Sequence, residues 1–172
     1  SQLQVAAEFN GQGKLIRHFV YGSKSNIPDY FVESGVKYKI ISDHLGSPRL
    51  IINSDTGKIM AKINYDEFGV MTEVSYKHKI TPLPFGFAGG LYDFDTELVR
   101  FGARDYDPTT GRFLTKDPLL PAMGGDINAY RYALNDPINK IDPNGLWAIV
   151  IGGGFSGVFG GGTEGSGGFV IG

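Results

Sequence analysis

A strand–turn unit recurs along this chain, and it leaves few folds open. Each copy has a Tyr-Asp or Asp-Pro step, a few polar residues and a glycine, then an apolar run: Tyr65-Asp66…Gly69, Tyr92-Asp93, Tyr106-Asp107…Gly111. The repeat is degenerate, with about twenty residues from one copy to the next. Its chemistry is local. The Asp carboxylate accepts backbone N–H groups of the turn, the glycine takes a left-handed corner, and the tyrosine lies on the sheet face. One such hairpin cannot bury a face alone, so the units must stack on their neighbours. The expected fold class is all-β.

Other stretches follow the same grammar. Residues 1–22 read as strand, Asn10-Gly11-Gln12-Gly13 turn, strand, because Asn-Gly tolerates the positive φ angles of a tight hairpin. Lys37–Ser42, Arg49–Asn53 and Lys58–Tyr65 read as strands joined by turns at His44–Pro48 and Asp55-Thr56-Gly57. Helix signals are sparse. "DINAYRYALN" (126–135) predicts a short helix capped by Asp126, with Tyr130, Ala133 and Leu134 facing inward.

Composition agrees and excludes several classes. The 172 residues hold 26 glycines, 13 % aromatics and no cysteine, so there is no disulfide framework, thiolate nucleophile or zinc–sulfur site. A formal charge of −2 gives no electrostatic footprint for nucleic acid. The start, "SQLQVAAEFNGQGKL", lacks the basic end and apolar core of a signal peptide and opens in mid-strand. The chain therefore reads as a piece of something longer.

A border falls at "DPNGL", residues 142–146. The 26 residues after it carry one charge, Glu164, and eleven glycines. Such sequence cannot bury enough surface to fold alone. Residues 146–163 form an uncharged run, but its seven glycines make it a weak spanning helix. "LWAIVI" and Phe155, Phe159 and Phe169 point to a segment lying against a protein wall.

At this point the residues resemble a known family. "ISDHLGSPRLIINSDTGKIMAKINYDEFG" resembles the repeat segment of bacterial Rhs (YD-repeat) proteins. "FAGGLYDFDTELVRFGARDYDPTTGRFLTKDP" with "NAYRYALNDPINKIDPNGL" resembles the Rhs-associated core, and together they cover about residues 5–146. Animal teneurins share the repeat grammar. The resemblance implies YD repeats (1–86) in a spiralling β-sheet shell, a core plug with a short helix or two (87–146), and a variable effector region or linker beginning at 147. It also implies an aspartyl autoprotease that cuts after the Leu of DPxGL, here between Leu146 and Trp147. Implied partners are the chain's own C-terminal effector region, the rest of the shell, a secretion or toxin-complex partner and an immunity protein. The implied setting is secretion or delivery at a bacterial cell surface; no cofactor or metal is implied.

Three positions match the family's functional ones: Arg104, Asp117 and Asp142. The last two stand 25 positions apart, a little wider than the family pattern, with the excess in "LLPAMGGD" (119–126). Two carboxyl groups brought close cannot both ionise cheaply, so one keeps a proton and the pair works as acid and base. Arg104 would hold one Asp ionised, orient the pair or stabilise an oxyanion; the competing reading is a structural ion pair with Asp105 or Asp107. Pro143 and Gly145 would set the turn, and Leu146 would anchor the acyl side. The bond lies in the same chain, so positioning replaces substrate binding and one turnover suffices.

Two other functions compete: a non-catalytic structural or encapsulation module, and a glycan-binding surface protein using Tyr92, Tyr106, Tyr130 or Tyr132. Face-packed aromatics are the plainer account of those tyrosines. His18, His44 and His78 are scattered, and His44 sits in a turn signature. No acidic cluster has metal-ligand spacing, and "GGGFSGVFGGG" lacks the Lys-Ser/Thr of a phosphate loop.

Overall fold

The computed structural model describes residues 4–77, 80–119 and 127–151, with the backbone alone of 158–159. Within each sheet, every strand pairs antiparallel with its sequence neighbour. The first sheet is a seven-stranded meander of β1 (Ala7–Phe9), β2 (Leu15–Val20), β3 (Tyr30–Glu33), β4 (Val36–Ser42), β5 (Pro48–Asn53), β6 (Ile59–Tyr65) and β7 (Met71–Tyr76). A four-stranded sheet comes next: β8 (Leu91–Tyr92), β9 (Val99–Phe101), β10 (Arg104–Asp107) and β11 (Arg112–Phe113). The third sheet joins β12 (Lys140–Ile141), β13 (Ala148–Val150) and β14 (Val158–Phe159). The all-β expectation holds.

The turns show why. Asn10, Asp43 and Asp66 each accept, at Oδ1, the N–H two and four residues on, at 2.8 to 3.1 Å. Each turn is closed by a backbone bond from residue i to the carbonyl of i+4: Asn10 to Lys14, Asp43 to Ser47 and Asp66 to Val70. The residue at i+3 is a glycine at positive φ: +75° for Gly13, +97° for Gly46 and +95° for Gly69. One acceptor and one permissive residue, three apart, thus fold a whole hairpin corner.

One face of the large sheet buries Phe19, Phe31, Tyr38, Ile40 and Ile51 against Leu83 and Phe85 of the segment leading to the second sheet. Arg17 is fully buried there and fastens that segment through Thr81 O at 2.7 Å and Pro82 O. A second core is centred on aromatic rings: Phe87, Phe101, Tyr106, Phe113 and Tyr132 pack together, with Tyr106 and Tyr132 centroids 4.4 Å apart.

Polar side chains, two of them in the Asp43–Ser47 turn, lock the repeats to this second core. Ser47 Oγ accepts the Ala88 N–H at 2.9 Å, Asn26 Nδ2 donates to the carbonyls of Leu45 and Ala88, and His44 Nε2 bonds the Ile138 carbonyl at 2.7 Å. His44 is therefore a fastener between two segments.

The helix expected over 126–135 is not formed. Asp126 itself lies outside the described residues. Phe113 and Asp117 donate their N–H groups to Tyr130 O and Ala129 O, and Arg131 bridges to Arg112, which hold the stretch as a turn and a single bridge. It ends in one tight turn, Ala133–Asn135, with φ of +48°, +57° and +58°, the left-handed sense. Tyr132 and Ala133, rather than Tyr130 and Leu134, are the buried residues.

Candidate active site

Arg104 opens β10 and enters the aromatic core only 3 % exposed. A cation so buried needs partners on every side, and it has them. Nε donates to the Gly145 carbonyl at 2.5 Å, Nη1 to the Ala129 carbonyl at 3.1 Å, and the plane stacks on Phe113 with Cζ 3.7 Å from the ring centroid. Nη2 lies 3.1 Å from Oδ2 of Asp117 and 3.1 Å from Oδ2 of Asp142. The three residues picked from the sequence are thus brought together around one nitrogen. The local alternatives for Arg104 are spoken for: Asp105 takes Arg100 in a bidentate pair and Asp107 caps Thr109 and Thr110.

Three segments supply the site. β10 gives Arg104. Asp117 is placed by its N–H on the Ala129 carbonyl at 2.8 Å, while its Oδ1 accepts the Leu119 N–H at 2.9 Å. Asp142 comes directly after β12 and begins the turn Asp142-Pro143-Asn144-Gly145. Of the "LLPAMGGD" excess, only Leu119 falls among the described residues.

That turn is the repeat corner in altered form. Gly145 keeps φ at +69° and donates to Asp142 O at 3.4 Å, as the other corner glycines do. Asp142 Oδ1, however, accepts the N–H groups four and five residues on: Leu146 at 2.9 Å and Trp147 at 3.1 Å. Among the described residues no bond from Asp142 N to Leu146 O closes the turn, so the Leu146 carbonyl is released from the role its counterparts fill. The Asp142 carboxylate instead spans the Leu146–Trp147 peptide link.

Asp142 is 3 % exposed. Burial pushes its carboxyl up to about 6, against the pull of Arg104 and the two N–H donors, and the charge of Asp117 adds to the rise. Beside it, burial above all raises the fully buried Tyr132 hydroxyl well above its ordinary value, and the charge of Asp142 adds to the rise. Leu146 is half-buried, and Trp147 is 40 % exposed on the solvent side of the link. A buried acid bonded to the N–H groups of Leu146 and Trp147, and a second carboxylate on the same guanidinium, together suit acid–base hydrolysis.

Sequence reading missed the groups that hold the guanidinium. Phe113 sits in the "GRF" stretch, but the Ala129 and Gly145 carbonyls carry no side-chain signal. Gly102 was also missed: a Cβ there would lie 2.6 Å from Asn144 O, so the corner leading to β10 and the 142–146 turn touch backbone to backbone. Of the tyrosines considered for glycan stacking, Tyr106 and Tyr132 are buried, and Tyr92 and Tyr130 are half-buried. Among the described residues no group of His, Asp and Glu could hold a metal ion, and no helix is long and apolar enough to cross a membrane.

Consecutive antiparallel strand–turn units, docked on a core that the same chain supplies, define a YD-repeat shell segment. The profile of the teneurin YD-shell family matches residues 1–138, and the chain belongs to that family. It is 32 % identical over 158 residues to the tRNA3(Ser)-specific nuclease WapA of Bacillus spizizenii, covering 90 % of this chain and 7 % of that protein. It is 32 % identical over 138 residues to mouse (Mus musculus) teneurin-3, covering 77 % of this chain and 5 % of teneurin-3. A crystal structure of TcdB2-TccC3 superposes with a TM-score of 0.56 at 27 % identity, covering 67 % of this chain and 5 % of that one. The chain thus spans a small fraction of each protein it matches.

Proposed function

We propose that this segment closes the C-terminal end of a YD shell and hydrolyses its own chain between Leu146 and Trp147. Residues 1–86 would serve as shell repeats, 87–146 as the cutting core, and those from 147 onward as the start of the enclosed effector. One relative bears a tRNA-nuclease name, which fits a shell with an enzymatic cargo. Implied partners are the chain's own C-terminal region, the remaining shell, a secretion or toxin-complex partner and an immunity protein, with delivery outside the producing cell.

The observation that carries the reading is the altered turn. Asp142 contacts the amide of the link to be broken, at 3.1 Å, while its other oxygen shares Arg104 with Asp117. In the proposed step Asp117 removes a proton from a water whose oxygen bonds to the Leu146 carbonyl carbon. Asp142, protonated, gives its proton to the Trp147 nitrogen as the C–N bond breaks. One water is consumed, and a Leu146 carboxyl and a Trp147 amine result. Arg104 keeps both acids in register and, through the Gly145 carbonyl, holds the turn against them.

A non-catalytic reading has one observation in its favour. Asn10, Asp43 and Asp66 make kindred turns with no catalytic company, so the Asp142 contacts also serve a purely structural corner. Intact masses under denaturing conditions separate the two for a chain spanning the site, as wild type, Asp117→Asn and Asp142→Asn. The proposal expects two pieces from wild type and one from each variant. A wild type that stays whole after folding defeats it.

A further inference from the structure

We infer that Tyr132 is a positioning residue for the cut, its buried hydroxyl donating a hydrogen bond to the Asp142 carboxylate as that group gives up its proton. This rests on the proposed cut and adds a fourth side chain to it.

Two independent observations carry it. The first is an unpaired donor. Among the described residues, two buried side-chain polar atoms lack a hydrogen-bond partner, the hydroxyls of Tyr65 and Tyr132. Tyr106, the neighbour of Tyr132 in the same core, places its own hydroxyl on Phe68 O at 2.7 Å. The ionisable groups that act on the Tyr132 hydroxyl are Tyr106 and Asp142, and the Asp142 backbone faces it as well. Arg104 and Asp117 stand on the other side of Asp142. Lys140 and Asp136, on the flanking elements, take each other at 3.3 Å. Of the groups facing the hydroxyl, Asp142 is the one that turns from acid to carboxylate in the proposed step, and so becomes the stronger acceptor. A buried donor left unpaired is costly in the resting chain, and pairing it only as the proton leaves favours the transition state over the ground state.

The second is backbone strain. Directly after Tyr132, three residues in a row that are not glycine, Ala133, Leu134 and Asn135, adopt positive φ. Side-chain-bearing residues resist that conformation, so the surrounding structure must impose it. The Asn135 N–H closes the turn on Tyr132 O at 2.9 Å. The ring is gripped in turn: it stacks on Phe101 with centroids 5.2 Å apart and meets Phe113 edge-on at 5.6 Å. Both rings border the site, because Phe113 lies under the Arg104 guanidinium and the Phe101 carbonyl lies against Gly145. Strain and an unpaired hydroxyl thus coincide on one residue beside the acid. Packing accounts for the ring, which a phenylalanine would supply, and leaves the hydroxyl to a role in the reaction.

The test compares two identical substitutions in a chain spanning the site. Cutting is started by dilution from denaturant into buffers from pH 5 to 8 and followed by intact mass. Tyr132→Phe should fold with an unchanged or higher urea midpoint, yet cut at least about tenfold more slowly at the acid end. Its alkaline limb should move upward, because the Asp142 carboxylate has lost a donor. Tyr65→Phe deletes an equally unpaired hydroxyl whose charged neighbours are Arg49 and Asp43, and it should change neither rate nor limb. If Tyr132→Phe fails to fold, a fluorotyrosine placed at 132 decides: its more acidic hydroxyl is the better donor and should move the limb downward. A Tyr132→Phe chain that cuts like wild type, or cuts slowly with an unmoved limb, overturns this inference alone, as does an unmoved limb with fluorotyrosine. A wild type that never cuts overturns the proposed function and this inference with it.

Discussion

Asp117 and Asp142, 25 positions apart in sequence, each place one carboxylate oxygen 3.1 Å from the same nitrogen of Arg104. The two acids are thereby coupled, and changing one alters the task of the other. Asn at either position keeps the shape and an acceptor oxygen but cannot exchange the proton. Asp117→Asn and Asp142→Asn should each slow cutting by at least about a thousandfold, by analogy with the loss of a residue that acts as part of a unit. Far-UV circular dichroism should be unchanged. Accumulation of the two pieces with time, read by intact mass, is the measurement.

Cutting should depend on pH with a definite sign. In the proposed reaction Asp142 acts in its protonated form, and burial pushes its carboxyl up to about 6. Above that value the protonated fraction falls about tenfold per pH unit, and so should the rate. Arg104 opposes the rise, so replacing it by a neutral residue moves this alkaline limb upward. Rates that stay flat from pH 6 to 8 contradict the assignment of Asp142 as the acid.

Arg104 is also a structural keystone. Arg104→Met strands two buried carboxyls and frees the Gly145 and Ala129 carbonyls, an expected loss of about 3–5 kcal/mol. Arg104→Lys keeps the charge but cannot reach both carboxylates and both carbonyls or stack on Phe113, so less than half of that loss should be recovered. Urea unfolding of the two variants gives the comparison.

Two corner glycines separate strain from collision. Gly57 has φ +68° and open space where an added methyl would sit, so Gly57→Ala carries only the left-handed penalty, about 1 kcal/mol. Gly145 has nearly the same φ, +69°, but a Cβ there would lie 2.5 Å from Phe101 O and 3.1 Å from Arg104 N. Gly145→Ala should cost about 1 kcal/mol more than Gly57→Ala and impair cutting as well. Equal destabilisation by the two changes would remove close packing as the reason for a glycine at 145.

Tyr65 offers a change in the opposite direction. Its hydroxyl is buried with no hydrogen-bond partner among the described residues, and burial holds it firmly protonated. Tyr65→Phe deletes an unsatisfied polar group and leaves the packing against Phe87. Stability should rise by roughly 1 kcal/mol, visible as a higher urea midpoint.

Where structure obeyed short-range rules, the sequence was readable. The strands expected at Lys37–Ser42, Arg49–Asn53 and Lys58–Tyr65 differ by a residue from β4, β5 and β6, because Asn53, Asp66 and their glycines fix each corner locally. Stretch 126–135 misled because its apolar spacing imitates a helix. The carbonyls of Tyr130 and Ala129 are instead taken by Phe113 and Asp117, partners too distant in sequence to show in a local pattern. The site divides the same way. Asp117, Asp142 and Arg104 stand out through side chains and spacing, whereas the Gly145 and Ala129 carbonyls do not. Asn26 and Ser47 carried no signal beyond ordinary polarity, though both join the repeats to the core.

The order of the parts along the chain has a temporal meaning. Arg104 emerges from the ribosome before every group that pins it: Asp117, Ala129, Asp142 and Gly145 all come later, and the His44 tie reaches forward to Ile138. Until residue 145 has been made and laid in place, the guanidinium has no cradle. The cluster can thus close only at the end of synthesis of this segment, after every strand before it has been made.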